Sequence, residues 1–260
     1  MVSRVSKKKR PRKELYQEKE IEKTEGGVFN RGTMIRLGKF FNKGIISKID
    51  FPIARGKESD VFIAEAGSAE TIEGASHVIL KMFRVTTTSF RNMSPYIDAD
   101  PRFARQVGKS REKIIETWCK KEFGNLEIAA KAGVSVPKPY MYNGTILAME
   151  FIHDRKMAPA PPLVNYTLKN PERMAKAIIE DVRKMYSAGL VHADLSEYNI
   201  LVGDDEKEYI IDMGQAVVLK HPNAYEYLQR DIEHILKFFN RKYSLSIDWQ
   251  SIYNQIVQEE

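Results

Sequence analysis

The sequence predicts an α+β fold in two lobes, an antiparallel sheet in the first and mainly helices in the second. Two observations carry this. From Ile45 to Ile152 the apolar residues come in short, strand-length runs broken by turn formers. From Asn170 onward they recur at helical spacing between recognisable caps. A third observation bounds the size. The chain has 260 residues, 43% hydrophobic and 29% charged, an ordinary globular mixture with room for one large domain or two small ones around a shared core.

Residues 1–25 are rich in Lys, Arg and Glu and read as a charged arm. Residues 26–48 read as an N-terminal helical extension, because Phe29, Met34, Leu37, Phe40 and Phe41 form an amphipathic stripe. The first lobe, 49–152, takes its strands from Ile49–Ala54, Val61–Ala66, His77–Phe83 and Thr145–Ile152. A stretch without periodicity, 84–109, interrupts it and holds Thr86, Thr87, Thr88, Ser89, Pro95 and Pro101. Segments of that length without structure are usually functional or disordered. Ser110 then caps a helix that runs to about Ala132 and is closed by Gly133.

The second lobe, 153–260, opens its first helix at Asn170-Pro171-Glu172, a cap followed by Pro at the first helical position, and ends it at Gly189. Ile200–Val202 and Tyr209–Asp212 are strand-like around the acidic turn Gly203-Asp204-Asp205. Asn223–Tyr243 and Asp248–Gln258 complete the lobe as helices, and no internal repeat is present.

Charge and cysteine content exclude several classes. Lys and Arg number 41 against 35 acids, a formal +6 with pI near 9.1, but seven cations and no acid fall within residues 1–13, so the rest sits at −1. The basic character belongs to a tail rather than to the fold. Cys119 is the single cysteine, which rules out an intrachain disulfide and a Cys-rich zinc site. No apolar stretch approaches the roughly 20 residues of a membrane span, and no apolar segment follows the basic start as in a secretory signal. A soluble, cytoplasmic protein is the expectation.

The densest chemistry lies in the run Val191 to Val202, which joins a helix end to a strand. Asp194 and Asn199 stand five apart in a tight loop, and Asp212 follows an apolar strand just before Gly214. Taken singly each is a turn former. Together, two carboxylates and an amide oxygen are hard ligands suited to Mg²⁺ and phosphate. Arg55-Gly56-Lys57-Glu58-Ser59 followed by Val61 reads as a strand–turn–strand with one glycine where a phosphate could approach. Alone it is a hairpin turn. Lys81 interrupts an apolar strand, as a snorkelling edge residue would. However, Glu122 shares an apolar helix face with Ile115, Trp118, Leu126 and Ala129. A buried carboxylate without a cation is costly, so Lys81 and Glu122 solve each other's problem.

This assembly resembles a protein kinase core, and more narrowly the RIO family of atypical serine/threonine kinases, first (Rio one) subfamily. The motifs are Gly56-Lys57-Glu58-Ser59, the run HADLSEYNIL at His192–Leu201 and IDMGQAV at Ile211–Val217. The resemblance spans about Ile45 to Glu260, and the short ending looks archaeal. It implies a trimmed two-lobed protein-kinase-like fold binding ATP with Mg²⁺, or Mn²⁺ in its place. Lys81 would contact the α/β-phosphates and pair with Glu122. Asp194 would orient or deprotonate the attacking group, and Asn199 and Asp212 would hold the metal. Arg55, Gly56, Lys57, Glu58, Ser59 and Val61 would cover the nucleotide, and the backbone of hinge residues Glu150 and Ile152 would meet adenine. In RIO proteins the aspartate matching Asp212 has been proposed to accept phosphate transiently.

Departures from ordinary protein kinases narrow the reading. Ala193 stands where the catalytic-loop arginine would be, so an activation-loop phosphate has no partner there. No Ala-Pro-Glu segment precedes the Asn223 helix. An ATP-driven switch in small-ribosomal-subunit maturation, a monomer contacting pre-subunit rRNA and proteins, fits better than a general peptide kinase. Arg84, Arg91, Arg102, Arg105, Lys109, Arg111 and Lys113 would join the arm on rRNA phosphates, or form only a solvated face. Thr86–Ser89 is either a phosphorylated loop or a plain linker. His192 reads as a structural hydrogen-bonder and His153 as a surface residue. A small-molecule phosphotransferase and a non-catalytic nucleotide- or rRNA-binding scaffold are the alternatives.

Overall fold

The computed structural model describes residues 31–85, 90–103 and 110–258. The charged arm, Thr86–Ser89, Arg105 and Lys109 lie outside the described residues, as does the Arg91 side chain. Five antiparallel strands form the first lobe: β1 (Ile46–Arg55), β2 (Ser59–Ala66), β3 (His77–Phe83), β4 (Pro139–Asn143) and β5 (Ile146–Glu150). Their order is β1-β2-β3-β5-β4. Three of the four expected strands lengthen or shorten by a few residues at their ends, and His77–Phe83 is as expected.

Strand alternation explains why this sheet reads as nearly continuous apolar runs. Side chains on successive residues point to opposite faces. Phe62, Ala64, Val78, Leu80, Met82, Ile146 and Ala148 form a core with Leu37 and Phe40 of α1 (Arg31–Asn42). Ile63, Ile79, Phe83, Leu147 and Met149 belong to the core on the opposite face. Lys81 falls by parity on that second face. The helical extension therefore covers one side of the sheet, and burying Leu37 and Phe40 fully contributes about 1.5–3 kcal/mol each.

Two elements depart from the sequence expectation. The stretch 84–109 is not structureless: it contains a helix, α2 (Phe90–Asp98), with Pro95 inside. Proline normally breaks a helix, but Met93 and Ile97, one turn apart, are fully buried, and Tyr96 packs edge-on against Trp118 at 6.2 Å between ring centroids. Tertiary packing overrides the local signal. Strand β4 was hidden by Pro137 and Pro139; it lies at the sheet edge and begins with its proline, where no ladder donor is needed.

Helix α3 (Arg111–Lys131) starts where expected, with Ser110 Oγ accepting from the Lys113 N–H at 3.3 Å. It ends at Gly133, whose φ of +74° suits glycine. In the second lobe, α4 (Pro171–Ser187) is capped by Asn170, which accepts from Arg173 N at 3.0 Å. Two short ribbons follow, β6 (Leu190–Val191) with β9 (Val217–Val218), and β7 (Ile200–Val202) with β8 (Glu208–Ile210). Helices α5 (Ala224–Tyr243) and α6 (Trp249–Gln258) close the lobe. The expected strand Tyr209–Asp212 stops at Ile210, and Asp212 turns into the left-handed region at φ +63°. No described helix is long and apolar enough to cross a membrane.

Candidate functional site

Between the sheet and the second lobe lies a cavity of about 510 Å³. Gly56, Ser59 and Val61 wall it from above, Lys81 and Glu122 from the back, Met149 to Ile152 along the connecting segment, and Leu201, Ile211 and Asp212 from below. Arg55, Lys57 and Glu58 stand on the same β1–β2 turn but do not wall the cavity. The turn itself is tied by Gly56 N–H donating to Ser59 O at 2.8 Å. Pro159, Pro161 and Pro162 form a wall that sequence reading missed; a proline-rich connection gives no periodic signal.

Lys81 stands in the central strand of the sheet, not at an edge. Its ammonium donates to Glu122 Oε1 at 2.7 Å, Glu122 Oε2 at 3.0 Å and Asp212 Oδ1 at 2.9 Å. One ammonium has three donors, and all are used. Burial opposes the Lys81 charge, but Asp212 and Glu122 together outweigh it and hold its pKa above the usual lysine value. Lys81 in turn holds the Asp212 carboxyl below the ordinary carboxylate range. Glu122, 1% exposed, behaves oppositely: burial, with Lys81 only partly countering it, pushes its pKa up to about 7. One cation shared between two carboxylates cannot fully offset the desolvation of the buried one.

This yields a stability prediction. Glu122 titrates at the ordinary 4.5 when unfolded and near 7 when folded, so the native chain holds an extra proton between those values. The stabilisation is complete at low pH and is lost as pH rises through the folded pKa. Relative to Glu122→Gln, the wild type should lose unfolding free energy as pH rises from about 5 to about 8. Parallel pH profiles from denaturant titrations of the two proteins would contradict this assignment.

The turn at His192–Asn199 is held from several sides. The His192 Nδ1 accepts from Asp194 N–H at 3.2 Å, which leaves Nε2 to donate to Ile211 O at 3.0 Å. That bond ties the turn to the segment carrying Asp212 and gives His192 its expected structural role. Asp231 of α5, 2% exposed, accepts from the N–H groups of Ala193 (2.7 Å) and Leu195 (2.9 Å), while Arg230 donates to Ala193 O. Ala193 is thereby kept at φ +67°, a conformation costing a non-glycine residue roughly 1–3 kcal/mol. Asp194 Oδ2 accepts from Gln215 Nε2 at 2.9 Å and from Asn199 Nδ2 at 3.3 Å. Asn199 also donates to Asp194 O at 2.8 Å, and its own carbonyl accepts from Ile211 N. Although Asp194 has an exposed edge, partial burial, with Asp212 adding, raises its pKa.

Lys81, Glu122 and Asp212 thus wall one cleft, while Asp194 and Asn199 do not wall it and are tied to its floor by Ile211 N–H donating to Asn199 O at 2.9 Å. Asn199 Nδ2 is committed to Asp194, which leaves its amide oxygen free to act, with the half-exposed Asp212 carboxylate, as a hard oxygen donor of the kind that fits Mg²⁺. His153 is partly buried, bridged to Pro159, and takes no part in the cavity wall. Arg230 and Asp231 carry no sequence signal, and Gln215 enters the sequence reading only as a letter of the IDMGQAV string. Their roles come from contacts across 21 to 38 residues, which no local spacing reveals.

The family model described as the RIO domain matches residues 60–252. The chain is 37% identical over 241 residues to the RIO-type serine/threonine-protein kinase Rio1 of Haloferax volcanii, covering 92% of this chain and 79% of that protein. It is 36% identical over 239 residues to Rio1 of Methanocaldococcus jannaschii, covering 92% and 78%. The fold matches that of the Rio2 kinase–ADP/Mg²⁺–phosphoaspartate complex from Chaetomium thermophilum, with a TM-score of 0.63 at 22% identity over 85% of this chain and 65% of the other. With the lysine, glutamate and Asp212 walling a cleft between two such lobes, the chain belongs to the RIO-type serine/threonine protein kinases of the Rio1 subfamily.

Proposed function

We propose that this kinase works as a Mg–ATP-dependent switch, transferring the γ-phosphoryl group to protein or to water, during maturation of the small ribosomal subunit. The observation that carries the chemistry is the shared bond network Glu122–Lys81–Asp212 at the back of the cavity. A phosphate entering there would take over the Lys81 donor now held by Asp212, freeing that carboxylate for a metal ion. When bound, Mg²⁺ would neutralise charge on the phosphates, with Asn199 and Asp212 as its protein ligands.

The remaining parts position and move protons. Glu150 N–H is bonded to Lys138 O and Ile152 O to Ala160 N–H, so the Glu150 carbonyl and Ile152 N–H are the edges that would meet adenine. Asp194, oriented by Gln215 and Asn199, would take the proton of the attacking hydroxyl or water, a role its raised pKa suits. The Asp212 carboxylate is the candidate for transient phosphorylation: its oxygen would bond the γ-phosphorus as ADP leaves, and water would then release phosphate. Only Leu219–Asn223 separates β9 from α5, which supports the switch over a peptide kinase, since little chain is left for peptide docking.

γ-labelled ATP incubated with this protein and small-subunit particles tests the reading. Mg²⁺-dependent label on the enzyme and in free phosphate, increased by the particles, is expected. An absence of turnover under all conditions would leave a binding scaffold as the better description. Deleting residues 1–13 should weaken particle binding and lower its salt slope, by about 0.7–0.9 per lost phosphate contact, with basal hydrolysis unchanged. Unaltered binding would reduce the arm to a solubility tail.

A further inference from the structure

Helix α3 carries more toward the cavity than Glu122. Trp118, Lys121, Glu122 and Asn125 recur at steps of three, one and three residues, so they share one face of the helix. Lys121 is fully buried, an uncommon state for lysine. Its ammonium donates to the carbonyls of Gly214 at 2.8 Å and Ala216 at 2.5 Å. Asn125 Nδ2 donates to Met213 O at 2.8 Å and to the same Ala216 O at 2.9 Å. The Lys121 charge also lies over the Trp118 ring, 5.5 Å from its centre. That ring in turn closes on Gly214, where a Cβ would stand only 2.7–2.9 Å from indole atoms.

We infer that Lys121 and Asn125 are positioning residues: together they clamp the main chain of residues 213–216 to α3, and so fix Asp212 for metal binding. Four hydrogen bonds from one helix face converge on the segment immediately after Asp212. The same segment carries Gln215, which orients Asp194. Two features say that these polar groups are kept at a cost. Asn125 Oδ1 is buried with no hydrogen-bond partner among the described residues, and burial lowers the Lys121 pKa to about 7. Apolar residues of similar size would fill this space without either penalty. Through this clamp, one rigid helix sets both the Lys81 ammonium, by way of Glu122, and the Asp212 carboxylate.

The inference rests on the proposed Mg–nucleotide site, and its test separates the two. ADP binding is measured by calorimetry with and without Mg²⁺ for the wild type, Lys121→Met and Asn125→Leu. The expected result is Mg²⁺-free ADP affinity within about twofold of wild type in both variants, with the gain on adding Mg²⁺ reduced about tenfold or more in Lys121→Met. In turnover, the Mg²⁺ concentration for half-maximal rate should rise and kcat fall, with the KM for ATP changed least. Lys121→Arg, which keeps the cation, should restore part of the Mg²⁺ effect. Full Mg²⁺ dependence in both variants would overturn the clamp alone. No Mg²⁺-dependent binding in the wild type would overturn the site reading and the clamp with it. Should Lys121→Met fail to fold, Asn125→Leu decides the matter by the same criterion.

Discussion

Asp194→Asn is expected to lower phosphoryl transfer by about 10²–10⁴-fold, the usual loss when a positioned proton acceptor is removed. The amide keeps an oxygen that accepts from Gln215 Nε2, and the backbone bonds of the turn to Asp231 and His192 do not involve the changed atoms. The variant should therefore fold and retain nucleotide affinity, because Asp194 does not wall the cavity. The loss belongs in kcat, with the KM for ATP nearly constant. A single-turnover measurement of phosphate release decides it: a rate within tenfold of wild type would remove Asp194 from the chemistry. The control is Lys81→Ala, which should also lose nucleotide affinity, since it removes the cation at the back of the cleft and leaves Glu122 buried without a partner.

Asp231→Ala is expected to destabilise the fold strongly. Its carboxylate is the acceptor for two buried main-chain N–H groups, Ala193 and Leu195. Truncation orphans both, at about 1–3 kcal/mol each, offset in part as Ala193 leaves its strained conformation. A loss of roughly 2–5 kcal/mol follows, read as a fall in thermal midpoint of roughly 5–15 °C. Activity should collapse as well, because the turn that presents Asp194 and Asn199 hangs from this residue. Asp231→Asn, which keeps one acceptor oxygen, should lie between the two. Equal midpoints for wild type and Asp231→Ala would mean that Arg230 and the His192 bonds hold the turn unaided.

How far the site was legible depends on where each signal lies. Asp194 and Asn199 sit five apart in one short loop, and Asp212 follows the next strand, tied back by Ile211 N–H to Asn199 O. Pairing Lys81 with Glu122 followed from a general cost: each is a charge on an apolar surface, and a buried charge needs a partner. Of the turn residues that the resemblance sets over the nucleotide, Gly56, Ser59 and Val61 wall the cavity and Arg55, Lys57 and Glu58 do not. Helix α2 escaped because Pro95 is a correct local breaker signal that Met93, Tyr96 and Ile97 outweigh by packing.

The formal +6 was assigned by sequence to the arm, and the site that emerged is governed by compensated rather than net charge. The sequence by itself determined the two-lobed class, most helix caps and the pairing of Lys81 with Glu122. These depend on periodicity, short spacing and the expense of isolated charge, all of which are local or one-body quantities. Only the tertiary structure decided that Lys81 serves two carboxylates at once, that Asp231 holds up the Asp194 turn, and that Lys121 and Asn125 grip the segment behind Asp212. Each of these is a pairing between groups tens of residues apart in the chain. Its geometry is set by how one helix face and one sheet face close on each other, and no local pattern encodes that.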